Sequence, residues 1–302
     1  MHTKTNRLSG RESSARADAR WSVEQRLEFV EERLYWLGEI NRQDLIARFG
    51  ISMSQASADI NRYLKLAGDG IRYDKSAKRY VADADFEPVL AEPDAARMLA
   101  DMRLVDAGLI APEQARLGVV PPLETTPVPE RPVDPGVLRV LWRAIARSLQ
   151  VKMHYQSMNR AEPVARTVEP HALAHDGFRW HVRAWDDANA GFRDFVLGRI
   201  TAPELAGPAE KTAEADQDWN TWIDLQITPH PELAHAQRRA VCLDYGIAGD
   251  HAVVKVRRAL LFYALRRLGL DTPPDARNPQ EQHIVLLNRD EILASLGSRE
   301  AD

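Results

Sequence analysis

The run FRWHVRAWDDANAGFRDFVLGRI, residues 178–200, crowds Arg179, His181, Arg183, Arg193 and Arg199 into two extended stretches joined by a turn. A guanidinium fork donates paired hydrogen bonds to carboxylate or phosphate oxygens, so the chemistry open to such a cluster is anion recognition. A half-buried strand pair tolerates one polar face, however, and Asp176, Asp186, Asp187 and Asp194 sit in or beside the same run. Surface pairing with these carboxylates would occupy the arginines at little energetic consequence. Both readings stand at this point.

Residues fit for catalysis are scarce. His171 and His175 have an HxxxH spacing, but Pro170 precedes them and Gly177 follows, which argues against a helix that turns both rings to one metal. The sequence has no HExxH, no glycine-rich phosphate loop with its lysine, no GxSxG elbow and no nuclease-like carboxylate set on successive strands. The single cysteine, Cys242, lies in the apolar run AVCLDYG and has no intrachain disulfide partner. The expectation is a protein that is not an enzyme and needs neither metal nor cofactor.

A second polar constellation lies near the N-terminus. In ISMSQASADINRYLKLAGDG, Ser52 is placed to cap a helix whose inward stripe is Met53, Ala56, Ile60, Tyr63 and Leu64. That stripe leaves Ser54, Gln55, Ser57, Asn61 and Arg62 pointing away from the core. A helix from Ser22 through Leu37, closed by Gly38, and another over Arg42 to Phe49, closed by Gly50, precede it. After Gly70, IRYDKSAKRYV reads as a hairpin tipped by Asp74, Lys75 and Ser76. This is the element order of a winged helix-turn-helix. Short polar side chains suit base edges in a major groove, and Arg62, Lys75, Lys78 and Arg79 suit phosphates.

Further along, a helix beginning near Pro93 offers Ala96, Leu99, Ala100, Met102 and Val105 for packing. GVVPPLETTPVPERPVDPG then has the composition of an extended linker. GVLRVLWRAIARSLQ is an amphipathic helix leading into VKMHYQSM and a small, strongly bent β domain. From Trp219 the pattern alternates strand and helix through WIDLQIT, PELAHAQRRAVCL, HAVVKV, RRALLFYALRRLG and HIVLL. The expected fold class is α+β multidomain: a flexible basic arm (1–20), a winged helix-turn-helix (21–85), a helix and Pro-rich linker (86–135), a β domain (136–207) and an α+β extension (218–297) that joins two copies.

Composition bounds the partners. The formal net charge of -4 disfavours indiscriminate coating of nucleic acid but leaves room for a specific reader with local basic patches. No apolar run approaches the roughly 18 residues of a membrane span, and residues 1–20 lack the apolar core of a secretory signal. The expectation is therefore a cytoplasmic protein with no membrane partner.

The segment from the linker helix to Ile200 resembles a WYL domain, an Sm-like β-barrel. HYQS matches its first strand, ARTVEPHAL its second, FRWHVRAW the strand of the name-giving triplet and FRDFVLGRI its closing segment. The triplet here is Trp180, His181 and Val182, so tryptophan is kept while tyrosine and leucine are replaced. With the winged helix and the C-terminal extension, the resemblance covers nearly the whole chain and extends to bacterial WYL transcription factors. GISMSQASADINRYLKL, YDKSAKRYV and the nearby FEP are similar to the WYL repressors encoded beside anti-phage defence systems, the BREX- and CBASS-associated regulators.

The resemblance implies a homodimer on an inverted repeat in double-stranded operator DNA, repressing a defence operon until a signal binds the WYL domain. It places ligand arginines at Arg166 and Arg193. Tyr155 and Ser157 on one strand, and His181 and Arg183 on another, would then gather with them around one concavity, with His171, Arg179 and Arg199 as additions. Such a set suits single-stranded DNA or a nucleotide-like molecule, whose phosphates meet the guanidinium groups while Tyr155 stacks on a base. A ligand-dependent activator and a protein-interaction module remain as alternative readings.

Overall fold

The computed structural model describes the backbone of residues 8–296 and the side chains of residues 23–295. It divides into two compact units, Met1–Pro127 and Val128–Asp302.

In the first unit, α1 (Leu8–Leu37) ends at Gly38, whose φ of 74° lies in the left-handed region where the absence of a Cβ removes the steric cost. This helix begins well before the Ser22 cap that apolar periodicity suggests. Most of the segment that reads as a flexible arm therefore has helical backbone, while Lys4 and Arg7 lie outside the described residues. A short β1 (Glu39–Ile40) leads to α2 (Arg42–Phe49). There the Asn41 side chain accepts from the amides of Gln43 and Asp44, and the Asp44 carboxylate accepts in return from the Asn41 N–H. Next come α3 (Met53–Ala67), β2 (Ile71–Asp74), β3 (Arg79–Ala82) and α4 (Ala95–Asp106).

Leu27, Phe29, Val30 and Leu34 of α1 meet Leu45 of α2 and Ala56, Ile60 and Tyr63 of α3 in a single core. Met53, which the inward stripe includes, is 54% exposed: it is the first residue of α3 and lies beyond the core, which begins at Ala56. The wing is three-stranded, in the order β1-β3-β2, because Glu39 and Ile40 pair with Val81 and Tyr80. In α4, Met98 is buried and Ala100, Met102 and Val105 are half-buried while Ala96 and Leu99 are exposed, so the packing face coincides only in part with the one the spacing suggests.

The second unit begins with α5 (Pro135–Arg147), where Asp134 accepts from the amides of Gly136 and Val137. It packs Val137, Leu141 and Ala144 on one face of an antiparallel sheet formed by β4 (Leu149–Tyr155), β5 (Val164–His175), β6 (Trp180–Asp186), β7 (Gly191–Val196) and β8 (Ile200–Pro208). The strand order is β7-β6-β5-β4-β8, with register shifts in the β5–β6 and β4–β8 pairings. The hydrogen bonding leaves β7 and β8 as edges, so the sheet is not closed into the barrel that the resemblance to a WYL domain implies.

The short α6 (Gln217–Asn220) leads into β9 (Trp222–Pro229), α7 (His235–Tyr245), β10 (Ala252–Arg257), α8 (Leu261–Leu268), β11 (Ile284–Leu286) and α9 (Arg289–Leu296). The three strands pair in the order β10-β9-β11, and Leu225, Ile227, Val241, Leu261, Leu265 and Ile292 form their core with the helices. Among the described residues no helix is long and apolar enough to cross a membrane, and no group of three metal-ligating side chains is present.

Candidate nucleic-acid interface and anion site

α3 presents Ser54, Gln55, Asn61 and Arg62 to solvent, on the side opposite its packed residues. Ser52 caps the helix: its Oγ accepts from the Gln55 amide at 3.2 Å and lies 2.9 Å from the Ser54 hydroxyl. Ser57 is half-buried and donates its hydroxyl proton to the Met53 carbonyl at 2.9 Å, which leaves that oxygen as an acceptor only. Ala58 and Lys65 complete the exposed face and were not singled out from the sequence. They follow from the same period, three or four residues on from Ser54, Gln55 and Arg62, and a methyl group such as that of Ala58 suits a thymine methyl. On the wing, Lys75 and Lys78 are exposed near the tip, whereas Arg79 is half-buried and salt-bridged to Glu39.

In the second unit, strand register assigns the anion-binding candidates to faces, because residues directly opposed in antiparallel strands share one. Met153 pairs with Arg166, Val168 with Asp186, and Ala184 with Arg193. Tyr155, Arg166 and Arg193 therefore share the face that packs α5. Arg183 pairs with Asp194, and His181 with Val196, on the opposite face. The sheet thus divides the set that the sequence gathers around one concavity.

On the α5 side, Arg166 approaches Asp186 at 3.5 Å, and the Tyr155 hydroxyl accepts from the Val196 amide at 3.2 Å with its ring edge-on to Phe195. Ser157 and Arg199 are half-buried and tied through Gln156, whose side chain donates to the Ser157 carbonyl and whose amide donates to the Arg199 carbonyl. A cleft of about 360 Å³ borders Arg166 and Met153, but its other lining residues, among them Lys152, His154, Thr167 and Glu204, alternate with these two and so belong to the face turned away from α5. Lys152 and His154 are exposed cations or potential cations that the sequence reading passed over; their alternation in VKMHY is the signal that marks them.

The opposite face carries a buried ionic network. Arg183 is 1% exposed and reaches Asp216 through Nε at 2.7 Å and a terminal nitrogen at 3.1 Å, and Asp194 at 3.2 Å. His171, at the irregularity between Pro170 and Ala172, places Nε2 3.0 Å from Asp216, and its ring lies edge-on to Phe192 and Trp219. Asp176 accepts from the Phe178 and Arg179 amides, from Arg179 Nε, and lies 3.0 Å from His181 Nε2. The Tyr263 hydroxyl of α8 donates to Asp194, and its ring lies against His181.

Burial acts to raise the Asp216 carboxyl, but the His171 and Arg183 hydrogen bonds and the guanidinium charge outweigh it and hold the group well below the usual carboxylate range. Asp176 is likewise opposed by burial yet held low by His181, the two amides and Arg179. Burial and the Asp194 charge push the Tyr263 phenol up, so it remains a donor. His171, Arg179, His181 and Arg183 are thus committed to carboxylates of this chain.

Three family models match the chain. The BrxR transcriptional regulator winged helix-turn-helix domain spans residues 22–104, the WYL domain spans 136–205, and the BrxR transcriptional regulator C-terminal dimerization domain spans 222–292. A DNA-binding transcriptional repressor CapW of Stenotrophomonas maltophilia is 37% identical over 282 residues, covering 93% of this chain and 94% of the relative. This chain belongs to the BrxR/CapW family of WYL-domain transcriptional regulators. A CapW repressor of Escherichia coli (strain KTE188) is 39% identical over 284 residues, at the same coverage.

Among solved structures, the proteasome accessory factor B/C of Arthrobacter aurescens aligns over 86% of this chain and 46% of its own length, with 17% identity and a TM-score of 0.27. Within the BrxR/CapW frame, the winged-helix match contains all of α3 and the wing. The WYL match contains both faces of the five-stranded sheet, and the dimerization match begins at β9, just after the connector that carries Asp216.

Proposed function

We propose that this chain is a homodimeric, sequence-specific transcriptional repressor that sits on an inverted repeat in the promoter of an anti-phage defence operon and is released by an anionic effector. The observation that carries the reading is the exposed face of α3, where Ser54, Gln55, Ala58, Asn61 and Arg62 lie opposite the core residues Ala56, Ile60 and Tyr63. Short donors and acceptors at that spacing match base edges, and the neighbouring wing lysines match phosphates. The CapW relatives, which align with 93% of this chain, are DNA-binding transcriptional repressors, and that supports the DNA-reading and repressor parts of the proposal.

In this reading the C-terminal domain joins two copies, which places a pair of recognition helices on successive half-sites and accounts for a two-fold symmetric operator. The protein acts on DNA in the cytoplasm and performs no chemistry. The bent sheet is an Sm-like WYL domain, open between β7 and β8. Its effector, single-stranded DNA or a nucleotide-like molecule, meets Arg166, Arg193, Tyr155, Ser157 and Arg199. Arg183 and the two buried histidines hold the domain together instead. Release of the operator requires the effector to bind the DNA-free form more tightly than the DNA-bound one.

The test is fluorescence anisotropy on the duplex upstream of the gene, across a salt series, with and without short single-stranded DNA. Tight, sequence-dependent binding that falls by orders of magnitude between about 50 and 200 mM salt is expected. Weakening by the short strand supports the effector assignment. Absence of duplex binding at every salt concentration removes the DNA-reading assignment and points to a protein partner.

A further inference from the structure

The side chain of Gln55 is exposed, yet it is not free to rotate. Its Nε2 donates to Asp59 Oδ1 at 2.9 Å, one helical turn further along α3. Asp59 is itself buried, and its other oxygen accepts from Arg26 Nε of α1 at 2.6 Å, with a terminal nitrogen of the same guanidinium 3.5 Å from Oδ1. Arg26 is buried too. An ionised carboxylate only accepts hydrogen bonds, so the face of the Gln55 amide that meets Asp59 must be the NH₂ group. Turning the amide over would bring Oε1 against Oδ1, two acceptors with no proton between them.

We infer that Asp59, locked by Arg26, is a positioning residue that fixes the amide of Gln55 so that α3 reads adenine. The inference rests on the DNA-reading assignment of α3. With one amide proton committed to Asp59, Gln55 has one acceptor, Oε1, and one remaining proton to offer a base in a fixed order. Adenine shows the complementary pair in the major groove, the N6 amino donor and the N7 acceptor. Guanine shows two acceptors, O6 and N7, so Oε1 would face an acceptor there; thymine offers one acceptor, and cytosine one donor without an adjoining acceptor. An amide free to rotate could reverse its order. The buried ion pair prevents this, and it couples base choice to the packing of α1 against α3.

The test begins with duplexes selected from a random-sequence pool by the full-length protein, followed by substitution of each position with all four bases. Wild-type protein is expected to prefer adenine at one position per half-site on the order of tenfold to a hundredfold. Q55A should lose that preference and leave the other positions unchanged. D59N gives the sharper result. Arg26 requires an acceptor opposite its Nε, so in D59N the oxygen of the introduced amide stays there and the NH₂ of that amide faces Gln55. The Gln55 amide must then turn over and present its own NH₂ to the groove, and the preference should move from adenine to guanine at that position alone.

If D59N does not fold, the apolar pair R26M/D59L serves, since replacing both members of a buried ion pair preserves packing. It should flatten the preference at that position to the Q55A level while binding at low salt persists. Retention of the adenine preference in D59N or in R26M/D59L overturns the positioning role, and an unchanged profile in Q55A overturns Gln55 as the reader. Failure of the wild-type protein to select any duplex is a different result, and it removes the DNA-reading assignment itself.

Discussion

Arg183 Nε lies 2.7 Å from Asp216 Oδ2, and each of the two side chains is 1% exposed. The first residue belongs to a central strand of the WYL sheet and the second to the connector that leads into the C-terminal domain. A connector anchored this way is part of the fold. It brings Trp219 against His171 and precedes Asp218, which pairs with Arg258 at 2.7 Å.

Removing one partner leaves the other as a buried, uncompensated charge. R183M and D216L are each expected to destabilise the protein by about 3–5 kcal/mol, while R183M/D216L falls far short of their sum. Denaturant unfolding followed by tryptophan fluorescence measures all three. Additive losses in the double variant would show that the pair is not coupled.

The same network sets an acid limit. Asp176 and Asp216 have folded pKa values depressed from 3.8. A depressed carboxyl contributes stability that is complete above the unfolded value and is lost as pH falls through the folded one. Stability should therefore hold from neutral pH to about pH 4 and decline below it. D216N, already lacking that carboxylate, should show a shallower acid decline; an identical slope would mean that the acid sensitivity arises elsewhere.

The placement of α2 and α3 was legible because local rules decide it. Asn41 and Ser52 are caps, Gly50 ends the second helix, and Ala56, Ile60 and Tyr63 keep helical spacing. The start of α1 was not, since no apolar period marks the residues before Ser22. The division of the anion-binding candidates between two faces was also hidden: a one-residue change of register reverses every side chain, and register is a property of strand pairs. Asp216 escaped notice for a related reason. It lies 33 residues from Arg183 in sequence, and nothing local announces the contact.

Glu31 makes a similar long-range anchor in the first unit. Its buried carboxylate accepts from the amides of Val89, Leu90 and Ala91 and from the Tyr63 hydroxyl at 2.8 Å, so it holds the segment leaving the wing against α1. Burial and this carboxylate push the Tyr63 phenol up, which keeps it protonated as the donor. E31Q offers one acceptor oxygen to these donors and should cost about 2 kcal/mol. Loss of amide-exchange protection confined to residues 89–91 would locate the effect; unchanged protection there would contradict the anchor.

The wing lysines should act through phosphates alone. Each phosphate contact contributes about 0.9 to the slope of log affinity against log salt. K75A/K78A is therefore expected to lower that slope by about 2 and to weaken all duplexes alike. R79A should leave the slope nearly unchanged, because Arg79 is already paired with Glu39. A change in base preference in K75A/K78A would mean that the wing reads sequence.

The two faces of the WYL sheet should separate in function. Arg166 and Arg193 share the α5 side with Tyr155, and Arg166 borders the open cleft, whereas Arg183 is enclosed and saturated by carboxylates. R166A/R193A is expected to bind duplex DNA as tightly as wild type and to lose its response to short single-stranded DNA by tenfold or more, on the order of one strong charge-assisted contact per arginine. Variants of Arg183 should instead lose stability before they lose response. Anisotropy titration of the short strand into preformed operator complex, beside a thermal melt of each variant, distinguishes the two. A stable R183M protein with intact operator binding and no effector response would place the effector at the Arg183 face and remove Arg166 and Arg193 as its ligands.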